Sequence, residues 1–108
     1  MVQGPLGIKD SAPEDVAGSF FNFNANTAGT QVKTGVGTLL GLNVNTAGTG
    51  GANVITLYDG TSTSGAVLGI WPTTPVNVFD MNPMTFNTGL FVALTGTTTA
   101  GNITIVYL

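Results

Sequence analysis

The side chains that carry most enzymatic chemistry are missing from this chain. It has no His, the commonest general base, proton shuttle and metal ligand, and no Cys to act as a nucleophile or thiolate ligand. Its basic residues are Lys9 and Lys33, so no Arg is present to clamp a phosphate or stabilise an oxyanion. Ser11, Ser19, Ser62 and Ser64 do not stand in a Gly-x-Ser-x-Gly elbow. Neither a Ser–His–Asp nor a Cys–His arrangement can be assembled from these residues.

Carboxylates remain. Asp59 and Asp80 are the pair that could flank a glycosidic bond, a reaction that needs two carboxyls at a set separation. The local sequence favours a plainer role for each. Asp59 precedes Gly60, where an Asp side chain caps a turn through its own backbone. Asp80 closes a strand-like run ahead of a Pro-containing segment. Calcium is the ion that oxygen ligands alone would suit, but the Asp59–Gly65 turn offers one carboxylate and lacks the Asp-x-Asn-x-Asp-Gly pattern. The glycines at 48, 50 and 51 do not make a phosphate loop, since no Lys and no helix follows. Trp71, Tyr58 or Tyr107 could form a sugar-stacking platform beside Asn and Asp groups. Trp71, however, sits in an apolar run before Pro72, which suits packing. The expectation is no catalytic group, no metal and no cofactor. The competing classes are a structural module and a carbohydrate- or receptor-binding module.

The composition bears on partners. Only 6% of the 108 residues are charged, against about 25% in a typical soluble domain. Past Lys33 the only charges are Asp59 and Asp80, so Thr, Asn, Ser and backbone at the 16 glycines must hydrate the surface. Such a surface repels its neighbours weakly, and lone monomers usually carry more charge. Much of it is therefore expected to meet other protein. A net charge of −3 and two lysines cannot supply the cationic cluster that nucleic acid or an anionic membrane surface needs. No apolar run approaches the roughly 20 residues of a membrane span, and residues 1–10 lack the pattern of a secretory signal.

The elements that must position any site read as strands. Residues 1–18 hold Lys9, Asp10, Glu14, Asp15, Pro5 and Pro13 without periodicity, and are expected to form an extended arm. From Ser19 onward short β-forming runs alternate with turns. The runs are Ser19–Asn24, Gln31–Thr34, Thr38–Asn45 (with Leu40, Leu42 and Val44 alternating on one face), Asn53–Asp59, Ala66–Trp71, Val76–Asp80, Thr85–Thr95 and Asn102–Leu108. Asn26–Thr30 and Asn45–Thr49 share the turn string Asn-Thr-Ala-Gly-Thr, and Asp59-Gly60 opens the clearest hairpin. Met81–Met84 reads as a loop. About eight strands in one domain, residues 19–108, predict an all-β, two-sheet antiparallel sandwich of jelly-roll type. An immunoglobulin-like Greek key has the same periodicity.

Two strands are apolar on both faces. Leu90, Val92 and Leu94 share one face of their strand, with Phe91 and Ala93 on the other. Ile103, Ile105 and Tyr107 share one face of the last strand, with Val106 and Leu108 on the other. A half-exposed antiparallel strand should be polar outside, so Phe91, Ala93, Val106 and Leu108 are candidate partner contacts. Met81 and Met84 join them, since Met adapts well at contact surfaces. Coverage by the same chain would explain the same pattern.

The string Gly37-Thr-Leu-Leu-Gly-Leu-Asn-Val-Asn-Thr-Ala-Gly-Thr-Gly-Gly-Ala-Asn-Val-Ile-Thr-Leu-Tyr-Asp-Gly-Thr-Ser-Thr-Ser-Gly65, then Phe86-Asn-Thr-Gly-Leu-Phe-Val92 and Thr104-Ile-Val-Tyr107, resembles a module common among small tailed-phage structural proteins. The resemblance covers roughly residues 36–108. It rests on the order of the motifs more than on any one of them. It implies a head decoration (cement) protein or a related head or tail accessory protein. Such proteins sit on the outer capsid of the virion as dimers or trimers and bridge neighbouring major capsid subunits. The family has no catalytic residues to carry over.

Overall fold

A computed structural model describes residues 18–48, 53–96 and 101–108. Runs of Val, Ile, Leu and Phe broken by Thr and Asn favour a pleated, half-buried backbone, and eight strands form. They are β1 (Ser19–Phe23), β2 (Thr27–Thr34), β3 (Gly37–Thr46), β4 (Val54–Asp59), β5 (Ala66–Pro72), β6 (Asn77–Phe86), β7 (Gly89–Thr95) and β8 (Asn102–Tyr107). They make two antiparallel sheets of four, in the orders β1-β8-β3-β6 and β2-β7-β4-β5.

The pairing has a simple rule. β4 pairs with β5, β3 with β6, β2 with β7 and β1 with β8, and successive pairs fall in alternate sheets. The chain is thus one long hairpin, turned between Asp59 and Ala66 and wound around a common core. That is a jelly roll, and it separates this fold from the immunoglobulin-like alternative. The arm expected over residues 1–18 lies, except for Gly18, outside the described residues.

Inward-facing side chains of both sheets build the core. Leu39, Leu42, Ile55, Leu57, Phe86, Leu90, Val92, Leu94, Ile103 and Ile105 are fully buried and Val44 nearly so. Burying each contributes about 1.5–3 kcal/mol relative to leaving it exposed. The expected faces of the last two strands hold, with Leu90, Val92, Leu94, Ile103 and Ile105 all inside.

Three local expectations are corrected. Against β8, a register shift between Leu39 and Gly41 gives β3 one extra residue, so Leu39 rather than Leu40 joins Leu42 and Val44 in the core. The first Asn-Thr-Ala-Gly-Thr string is not a free turn, because Thr27–Thr30 lies inside β2 and is absorbed as an irregularity against β7. Residues 81–84 are not a loop. β6 continues through them, but its pairing with β3 skips from Met84 to Asp80, so Pro83 falls in a bulge of an edge strand, a place in a sheet that tolerates Pro. The turn falls instead at Asn87–Thr88, inside the run expected to be one strand over Thr85–Thr95.

Candidate interaction surface

The two carboxylates are held apart by the topology. Asp59 ends β4 in one sheet, and Asp80 lies on β6 in the other, opposite Gly41 and exposed. Asp59 is committed to the backbone of the β6–β7 turn. Its Oδ1 accepts from the Thr88 amide at 2.8 Å and the Asn87 amide at 3.0 Å, and its Oδ2 accepts from Asn87 at 2.9 Å. These amides, Asn87 first and then Thr88, stabilise the charged form and hold its pKa below the ordinary aspartate value. Asp59 therefore caps the β6–β7 turn and not, as its position before Gly60 suggested, the turn that it opens itself. Gln31 ties down the same end, donating from Nε2 to the carbonyls of Lys33 (2.7 Å), Gly60 (3.1 Å) and Leu90 (3.1 Å). Among the described residues no group of three or more acidic, His or Cys side chains is placed to hold a metal, and no pocket is present.

The aromatic residues do not form one platform. Trp71 and Tyr107 pack against the core. Tyr58 lies on the outer face of the second sheet, edge-on to Phe91 with ring centroids 6.4 Å apart.

The six partner-contact candidates do not share one surface. Phe91 and Ala93 are on the outer face of β2-β7-β4-β5, while Val106 and Leu108 belong to the opposite sheet. Ala93 is already 5% exposed within the single chain, and Phe91 is half-buried beside Gly29 and Tyr58. Met81 and Met84 are half-buried and packed on the core, because the bulge between Asp80 and Met84 in β6 lets positions three apart face the same side. Of the six, Leu108 alone counts as exposed.

The apolar side chains that do face outward are others. On the second sheet, Val54 on β4 and Val67 and Ile70 on β5 are exposed, Ile70 at 62%. Val67 opposes Tyr58 and Ile70 opposes Thr56, so they flank the Tyr58–Phe91 pair. A register shift in β5 turns Leu68 inward and puts both Val67 and Ile70 outside. The sequence carried a signal for this: Ala66–Trp71 has no polar side chain at either parity. On the first sheet the outward apolar residues are Phe20, at 71% exposed, and Val78.

Between Phe20 and Val78 lies an array that sequence reading did not identify. Asn22 on β1 donates from Nδ2 to Asn102 Oδ1 and Thr104 Oγ1 on β8, each at 2.9 Å. Asn45 on β3 donates from Nδ2 to the same two oxygens, at 3.0 and 2.8 Å. Asn102 Nδ2 returns a bond to Asn22 Oδ1 at 3.2 Å. Four side chains from three strands thus form one exposed network, assembled from residues 57 to 82 positions apart in the chain. No family model, no curated protein and no solved structure matches this chain.

Proposed function

We propose that this chain is a structural virion protein that decorates and cements a tailed-phage capsid by bridging neighbouring major capsid subunits. Its action is binding, not catalysis. The observation that supports this reading best is the outer face of the second sheet. There Val54, Val67 and Ile70 are exposed around the Tyr58–Phe91 pair, on a chain with 6% charged residues. Apolar outward patches on a weakly charged surface are characteristic of contacts with other protein. Copies that meet the capsid at several equivalent seams would multiply a modest single-site affinity.

The test is cosedimentation of the purified chain with capsids of its phage that lack it. Saturable binding with a fixed number of copies per capsid is expected. Ile70→Lys places a charge at an exposed position that contributes nothing to the core, so the fold should persist while capsid binding weakens by about tenfold or more. Removing residues 1–18 should also weaken binding and leave the eight-stranded fold intact. Absence of the chain from purified virions, or equal binding by the wild type and Ile70→Lys, overturns the proposal.

A further inference from the structure

We infer that the outer face of the first sheet is a binding site for a neutral oligosaccharide, separate from the apolar face of the second sheet. Asn is depleted in strands because its side chain competes for local backbone groups. Hydrogen bonds exposed to water contribute little net stability. An exposed Asn network across three strands is therefore not explained by the fold, and departures of that kind concentrate at functional sites.

The bonding pattern leaves groups that suit hydroxyls. Thr104 Oγ1 accepts from both Asn22 and Asn45, so its own O–H is left to donate. Asn45 uses its amide nitrogen on the array, and its Oδ1 has no partner among the described residues. Outward donors and acceptors thus stand side by side. A sugar hydroxyl both donates and accepts, whereas a protein backbone presents these groups only along an extended edge. The mutual bonds also fix the rotamers in advance, which lowers the ordering cost of binding.

An aromatic ring completes the surface. Phe20 lies two residues before Asn22 on the same side of β1, about 7 Å away along the strand. It is 71% exposed and opposes Val106, so a flat apolar floor adjoins the polar array. Across β1, β8 and β3 the array spans about 10 Å, which suits a short stretch of linked pyranoses. The class is neutral because of the charges. The only charged side chain on this sheet is Asp80, and the described basic residue, Lys33, is on β2 of the other sheet.

The experiment is amide-resolved NMR on the full chain, titrated separately with maltohexaose, cellohexaose, xylohexaose and chitohexaose, and with oligogalacturonate as the acidic comparison. A neutral member of the panel should give saturable shifts in the side-chain amides of Asn22, Asn45 and Asn102. Phe20→Ala and Thr104→Val should each weaken that binding by about tenfold or more. Both replace surface side chains, and Val favours a strand at least as well as Thr, so the same spectra verify that the variants fold. The inference is overturned if no neutral sugar gives saturable shifts, if the shifts map to another surface, if only oligogalacturonate binds, or if both variants bind as the wild type does.

Discussion

Gly69→Ala tests how the single tryptophan is held. Gly69 and Trp71 share the inward side of β5, opposite Leu57 and Ile55. The indole folds back over Gly69: a Cβ there would lie 2.7 Å from Cζ2 and 3.0 Å from Cζ3 of Trp71, and closer still to Cη2. No backbone atom is among its nearest neighbours, and Gly69 does not need a left-handed conformation. The whole penalty should therefore come from the ring. Forcing a methyl group into a packed site costs about 1–3 kcal/mol. Replacing Gly by Ala inside a strand returns about 0.5–1 kcal/mol. The expected net loss is about 1–2 kcal/mol, which lowers a urea midpoint by about 1 M. In a Trp71→Phe background the offending atoms are gone, and Gly69→Ala should become neutral or stabilising by up to about 1 kcal/mol. The four proteins of this cycle can be unfolded in urea and followed by circular dichroism. Emission of Trp71, the only Trp, should shift to the red in Gly69→Ala alone. Effects that add to within about 0.5 kcal/mol, with unchanged emission, would refute the account of the contact.

Two further outcomes follow from side chains already placed. Asp59 has a folded-state pKa below its unfolded value, so its contribution to stability is full above the ordinary aspartate range and is lost as pH falls through the lowered value. Thermal melts of the wild type and Asp59→Asn should therefore diverge at neutral pH and converge in strong acid; parallel curves would contradict the turn-capping role. Leu57→Ala, at a fully buried position of β4, should cost about 2–5 kcal/mol. That is a large part of a typical domain's stability, and a chemical denaturation midpoint within error of the wild type would be inconsistent with the core as described.

What the sequence made legible was mostly local. The Asp59-Gly60 hairpin, the inward sets Leu90–Val92–Leu94 and Ile103–Ile105, and the all-β class depend on neighbours in the chain, and each is found. Parity was misread at Leu40, because a register shift in β3 breaks the two-residue period without changing composition. The segment at 81–84 was misread as a loop because Pro83 normally ends a strand, yet β6 is an edge strand and carries Pro83 in a bulge between its pairs at Asp80 and Met84. Asp59 was read as capping its own Asp59-Gly60 turn, and no local signal could say that its amide donors lie at 87 and 88. The Asn22–Asn45–Asn102–Thr104 array was invisible for the same reason: its members become neighbours only where β8 pairs with β1 and β3.

The β1–β8 pairing also closes the longest loop of the hairpin. Asp59 and Ala66 pair across a short loop, whereas Ser19 and Tyr107 pair across nearly the whole described chain. Closing the longer loop unaided costs about 2 kcal/mol more in chain entropy. The inexpensive route is to form β4–β5 first and let each pair shorten the closure that the next requires, outward to β1–β8. The outermost pair is then the last to join and the first to detach. Any ligand that grips Phe20 or Asn22 on β1 together with Thr104 on β8 would fasten the end of the winding, and would slow the whole jelly roll from opening.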